Sequence, residues 1–152
     1  MSELCRTDTC GDLRASDEGR DVVLQGWAAS VRDHGGRVFI NLRDRHGVTQ
    51  IKADQAVAPE VFATARDIKS ESVLSVTGQV VGRGANANPN LPTGAIEVSA
   101  TSIEVLNPAK PLPFPIMDEV DANEVTRLSY RYLDLRRPAL AHNMAVRAQV
   151  CR

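Results

Sequence analysis

The sequence predicts a mostly β domain, a small five-stranded barrel with one helix between the third and fourth strands, followed by a proline-rich spacer and a helical tail. Three observations carry this. Residues 37–43 alternate strictly, placing Val38, Ile40 and Leu42 on one face and Arg37, Phe39, Asn41 and Arg43 on the other, because successive strand side chains point to opposite sides. The apolar patterns occur in the order strand, strand, strand, helix, strand, strand. Prolines at 108, 111, 113 and 115 then end the β pattern, and helical spacing begins beyond them.

Residues 21–32 form the first predicted strand, and a Gly35-Gly36 turn leads into the second at 37–43. Asp44-Arg45-His46-Gly47 supplies the turn to the third, residues 48–53. Pro59 opens a short helix, since a proline in the first turn loses no hydrogen bond, and Val61, Ala65 and Ile68 recur at helical spacing to plug one end of the barrel. The fourth strand spans 72–83, with Leu74, Val76 and Val80 inward and Gly78 relieving a bend. A loop rich in Gly, Asn and Pro, residues 84–94, precedes the fifth strand at 95–105. Trp27 is expected in the barrel core. This order is that of the OB-fold, a partly open Greek-key barrel that binds oligonucleotides across one face and through its loops. On pattern alone, another small β-barrel or a sandwich remains open.

The expected domains are 1–106 for the barrel, 107–120 for the spacer and 121–152 for a helical start of something further. In that last part Val125, Leu128, Tyr132 and Leu135 recur at spacings of three and four across 121–135. A final helix from Ala139 carries Met144, Val146 and Val150 to the last residue with no stop signal. Its apolar stripe has nothing in this chain to bury against, so the chain is expected to be the front end of a longer protein.

At 152 residues, with 43% apolar and 24% charged residues, the chain suits one core with appendages. No apolar run approaches a membrane span, and 1–14 lacks the apolar centre of a signal peptide, which makes the cytoplasm the expected location. Cys5, Cys10 and Cys151 have no ligand-spaced partners, so free thiols are expected, with neither a zinc site nor a disulfide framework. A net charge of -1 argues against binding nucleic acid by bulk electrostatics.

The local balance differs. Between 26 and 52, Arg32, Arg37, Arg43, Arg45 and Lys52 oppose only Asp33 and Asp44. An outward aromatic, Phe39, among guanidinium groups is what stacking an unpaired base and holding its phosphate requires. Arg43-Asp44-Arg45 reads as a charged turn with internal ion pairs, His46 as a solvated turn residue, and Arg136-Arg137 either as nucleic-acid contacts or as a helix-end or interdomain pair.

These residues carry a resemblance. Arg6-Thr7, Cys10-Gly11, Leu13-Arg14, Gly26-Trp27, Arg32-Asp33-His34-Gly35-Gly36, Phe39-Ile40, Leu42-Arg43-Asp44-Arg45 and Gln50 are similar to the N-terminal anticodon-binding fragment of bacterial-type aspartyl-tRNA synthetases. Asn88-Pro89-Asn90-Leu91-Pro92-Thr93-Gly94 with Ile96-Glu97-Val98 continues the match, and Arg131-Tyr132-Leu133-Asp134-Leu135-Arg136-Arg137-Pro138 resembles the lead into a class II catalytic domain absent here.

The resemblance implies that Phe39 stacks on an anticodon base, Gln50 reads the central base, Arg32 contacts bases and backbone, and Asn86 lies at the anticodon. His34 resembles the type that charges tRNA for both aspartate and asparagine, implying relaxed specificity. Ser30 and Val31 depart from family members that carry further arginines there, so part of the usual electrostatic grip is missing. The parent would be an aspartate–tRNA ligase that forms an aspartyl-adenylate from ATP with Mg²⁺, and a homodimer. This fragment would hold no catalytic residue, cofactor or metal, with tRNA for Asp, and for Asn under relaxed specificity, as its partner and no membrane contact.

A free-standing OB-fold module that binds single strands or a protein is the alternative, as is the barrel of an asparaginyl- or lysyl-tRNA synthetase. A general single-strand binder repeats aromatics along its groove, whereas this chain has three Phe, two Tyr and one Trp, which favours a short defined target.

Overall fold

Strand formation follows the alternation. In the computed structural model, which describes residues 5–151, the barrel strands are β1 (Asp21–Asp33), β2 (Arg37–Arg43), β3 (Val48–Asp54), β4 (Val73–Gly82) and β5 (Ile96–Asn107). The helix α1 (Pro59–Asp67) lies between β3 and β4. The strands close in the order β1-β2-β3-β5-β4. All pairs are antiparallel except β3 with β5, which join in parallel at Ile51 opposite Val98 and Lys52 opposite Ser99. The expected helix-inserted five-stranded barrel is therefore present, and the expected strand limits agree to within two residues.

The core is the inward face of each strand: Val38, Ile40 and Leu42 of β2 are fully buried, together with Leu24, Ile51, Leu74, Val76 and Val98. Apolar burial of this kind stabilises by roughly 25 cal/mol per Å². Phe62 and Ala65 of α1, with Ile68 just beyond its end, join the same cluster. The expected stripe missed Phe62, and Val61 is only half-buried, because the buried arc is centred one residue later. Gly78 sits where the β4–β5 register shifts. A Cβ there would meet the Ser99 carbonyl oxygen at 2.4 Å.

An arm before β1 adds to the core. Cys10 and Leu13 are buried, the Thr49 hydroxyl donates to the Cys10 carbonyl at 2.8 Å, and the Cys10 N–H donates to Asp44 at 3.0 Å. Burial, and then the Asp44 carboxylate, push the Cys10 thiol up to about 12 against the opposing pull of Arg6. Cys5, Cys10 and Cys151 are all free.

Trp27 is not in the core. On β1 the residues Val22, Leu24 and Ala28 face inward, so period-two geometry turns Trp27 outward, where the Arg43 guanidinium lies 5.9 Å from its ring centroid. Nor are the ion pairs of the 43–45 turn internal. Arg43 binds Glu71, with both carboxylate oxygens at 2.8 Å, while Asp44 accepts from the His46 and Gly47 backbone N–H groups.

The chain divides into two compact units between Lys110 and Pro111. In the second, the segment expected as one helix over 121–135 is two short ones, α2 (Glu124–Ser129) and α3 (Arg131–Asp134). Asn123 caps α2 by accepting from the Thr126 N–H at 2.7 Å. The helices part at Tyr130, whose φ of -111° and ψ of 44° leave the helical region; beyond it Leu133 and Asp134 are buried, while Val125, Leu128 and Tyr132 stay exposed. Burial alone would raise the Asp134 carboxyl, but the hydrogen bond from Arg137 and the charges of Arg137, Arg127 and Arg131 hold it below its ordinary value. Arg137 also donates to the Met117 and Asp118 carbonyls, so its fork is engaged inside this unit. The last helix, α4 (Pro138–Val150), buries no residue.

Candidate nucleic-acid interface

One extra residue in β1 makes this face. Along the β1–β2 ladder the register shifts by one between Ala28 and Ser30, a bulge that leaves Ala29 over. Before it the even-numbered side chains point into the core. Beyond it Val31 packs against the core, and Ser30 and Arg32 stand outside. Arg32 then sits directly across from Phe39, which sits directly across from Lys52 of β3. Ser30, Asn41 and Gln50 form the next row in the same way.

The β1–β2 turn supplies the rim. Gly35 and Gly36 adopt φ of 58° and 95°, a region open to glycine, and the Gly35 N–H donates to Asp33 at 3.0 Å. This turn sets the His34 ring edge-on to Phe39, with centroids 5.6 Å apart at 71°. Phe39 is half-buried on the outer face, with its ring steadied from one side.

Glu97 anchors the floor. The alternation of β5 buries Ile96 and Val98 and turns Glu97 outward. The parallel β3–β5 pairing brings it beside Gln50 and Lys52. Its Oε2 accepts from Gln50 Nε2 at 3.0 Å, its Oε1 pairs with Lys52 Nζ at 3.0 Å, and Arg83 Nε lies 3.9 Å from Oε2. The Arg83 Nε atom is buried without a hydrogen-bond partner among the described residues. Gln50 is only 8% exposed, so its amide is packed and oriented where an isolated strand glutamine would be solvated.

Together these groups line one groove of about 480 Å³. It collects Arg32, His34, Phe39, Gln50 and Asn86, the five candidates named from sequence, along with Arg37, Lys52, Arg83 and Glu97. Asn86 enters from a short 3₁₀ turn, Gly84–Asn86, that follows β4. Four cations face one carboxylate across this lining, which favours an anionic ligand. Arg37 is held by Asp54 at 2.8 Å, and the Ala56 N–H and then Arg37 keep the Asp54 carboxyl below its ordinary value. Arg32 has no ion pair among the described residues and is exposed.

Sequence reasoning missed Arg83 and Glu97 as groove residues and read Lys52 only as local charge. Glu97 was visible as the outward residue of an alternating strand, but nothing in the order of residues announces that β5 lies next to β3. Among the described residues no group of three His, Cys, Asp or Glu side chains is placed to hold a metal, and no helix is long and apolar enough to cross a membrane.

The chain has counterparts among known proteins. A family model described as an OB-fold nucleic acid binding domain matches residues 22–106. The aspartate–tRNA(Asp/Asn) ligase of Anaeromyxobacter dehalogenans is 49% identical over 99% of this chain, and the aspartate–tRNA ligase of Streptococcus pneumoniae is 48% identical over 95%. The chain spans about a quarter of the length of these curated relatives, 25% in each case. Among solved structures, asparaginyl-tRNA synthetase from Pyrococcus horikoshii complexed with asparaginyl-adenylate superposes with a TM-score of 0.72 at 28% identity, over 86% of this chain and 29% of that one.

Proposed function

Since the chain belongs to the OB-fold nucleic acid binding domain family and corresponds to the anticodon-binding domain of aspartate–tRNA ligases, we propose that its groove holds the anticodon loop of a tRNA. The observation that carries this is the row Arg32, Phe39, Lys52 with Gln50 beside it on one outward face. Phe39 stacks on one unpaired base, and Gln50 meets the Watson–Crick edge of the central base. Arg32, free of ion pairs among the described residues, holds backbone phosphate and base edges. His34 and Asn86 line the same groove.

The parent protein, of which 1–106 is the anticodon domain, 107–120 a linker and 121–152 the start of the catalytic domain, attaches aspartate to tRNA through an aspartyl-adenylate. ATP and Mg²⁺ act there, in the part outside this chain. We assign the parent to the cytoplasm as a homodimer. His34, together with relatives named for both Asp and Asn tRNA, supports relaxed specificity.

The test is a titration of this chain with a labelled RNA hairpin carrying the aspartate anticodon loop, competed by the same hairpin with a scrambled loop. Saturable binding lost on scrambling is expected. Equal affinity for both loops would leave only a non-specific single-strand module.

A further inference from the structure

Arg32 and Asp33 leave the end of β1 in opposite directions. Arg32 stands across from Phe39 on the outer face, so period-two geometry turns Asp33 to the side of Val31 and Val38, which pack in the core. There its carboxylate meets both the β1–β2 turn and the plug helix. Oδ1 accepts from the Gly35 N–H at 3.0 Å, and Oδ2 pairs with Arg66 Nε of α1 at 3.2 Å. Arg66 is itself seated: its guanidinium carbon lies 5.9 Å from the ring centroid of Phe62, a core residue one turn earlier on α1. It also occupies the last turn, where the helix dipole favours a cation. From the other side, the Gln55 N–H donates to the Gly36 carbonyl at 3.0 Å, and the His34 N–H closes the turn on the Arg37 carbonyl at 2.9 Å.

Glycines at 35 and 36 give the turn no side chains to pack, so its position rests on these few polar contacts. We propose that Arg66 is a positioning residue for the groove: through Asp33 it fixes the β1–β2 turn to α1 and so holds the His34 ring against Phe39 before RNA arrives. Arg66 is not among the residues that line the groove. The pair is exposed, at 59% and 45% of the two side chains' surface, and such pairs add little to folding stability. Its effect falls on pre-organisation instead. A wall that is loose in the free protein must be ordered by the ligand, and that ordering subtracts from affinity. The effect on RNA rests on the proposed anticodon reading, whereas the brace is a property of the free protein and can be measured without RNA.

The experiment compares the wild type with Arg66→Gln, Arg66→Lys, Asp33→Asn and the double variant Asp33→Asn with Arg66→Gln. In the free proteins, NMR reads the His34 ring protons, which the Phe39 ring current displaces while the two rings stay edge to face. Arg66→Gln should move these resonances toward those of an unstructured histidine at an unchanged melting temperature. Arg66→Lys should restore them, because an ammonium still pairs with Asp33. Titration with the aspartate-anticodon hairpin should show affinity about two- to tenfold lower in Arg66→Gln, the range expected for ordering one or two side chains on binding. The slope of log affinity against log salt should stay at its wild-type value, since no phosphate contact is removed. Asp33→Asn keeps an acceptor for the Gly35 N–H but loses the ion pair, so adding Arg66→Gln to it should cause no further loss.

Unmoved His34 resonances in Arg66→Gln would overturn the brace and leave the anticodon reading intact. Moved resonances with unchanged affinity would overturn its role in binding. A salt slope lowered by about 0.7 in Arg66→Gln, or an equal affinity loss in the Asp33→Asn background, would make Arg66 a direct phosphate contact and overturn the proposal as well. A wild type that binds the matched and scrambled loops alike would instead remove the anticodon reading, while the His34 resonances still decide the brace. Should Arg66→Gln fail to fold, Asp33→Asn against the wild type carries the same two readouts with the same expected and opposing results.

Discussion

Phe39 and Ile40 are neighbours in sequence and face opposite sides of one strand, so truncating each in turn separates binding from stability. The Ile40 side chain is fully buried in the barrel, while the Phe39 ring is half-exposed and touches the edge of His34 at 5.6 Å. Ile40→Ala removes buried methyl groups and leaves a cavity that a closed barrel refills poorly, which costs about 2–5 kcal/mol of folding stability. Phe39→Ala opens no core cavity and loses chiefly one aromatic edge contact, about 1 kcal/mol. Its effect falls on RNA. Base stacking on an aromatic is worth about 1–3 kcal/mol, which corresponds to roughly a five- to 150-fold loss of affinity. Because every base has a π-face, the loss should be similar for matched and mismatched loops. Urea denaturation gives the stabilities, and anisotropy titration of the labelled hairpin at fixed salt gives the affinities. Unchanged affinity in Phe39→Ala would refute the assignment, as would an equal affinity loss in Ile40→Ala measured where that variant is fully folded.

Arg32→Gln should weaken the hairpin, lower the slope of log affinity against log salt by about 0.7, and leave the melting temperature unchanged, a pattern read from titrations at several salt concentrations. Glu71→Ala removes the buried partner of Arg43 and should cost about 3–5 kcal/mol in urea denaturation, with little change in RNA affinity because the pair lies outside the groove. Cys10, with its thiol pushed up to about 12, should resist alkylation near neutral pH while exposed Cys5 and Cys151 react, as peptide mass spectrometry would report. Since an unfolded-chain thiol titrates near 8.5, the folded protein holds the Cys10 proton longer. The associated stability is complete below about pH 8.5 and is lost as pH rises toward about 12, so the melting temperature of wild type relative to Cys10→Ala should fall across that window.

Much of the site was legible because strand geometry is local. Alternation alone put Val38, Ile40 and Leu42 inside and Phe39 outside, and the helix that begins at Pro59 was announced by a first-turn proline and apolar spacing. Trp27 shows where such reasoning failed. It was expected in the core, yet its parity, opposite to that of Val22, Leu24 and Ala28, turned it outward. The stripe over 121–135 failed differently, since recurrence at three and four does not report which side chains become buried; Leu133 and Asp134 are, and Val125 and Tyr132 are not.

What the sequence determined by itself was each strand's two faces, the element order and the presence of an aromatic among cations, all set by neighbours a few residues apart. Tertiary structure alone decided which faces meet. The bulge at Ala29 reverses the parity of β1 and so delivers Arg32 to the side of Phe39; with Ala29 paired in an unbroken ladder the guanidinium would point into the barrel. The parallel pairing of β3 with β5 joins Gln50 to Glu97 across 47 residues of chain. Both depend on ladder register between distant segments, and register is a property of paired strands that no single stretch of residues carries.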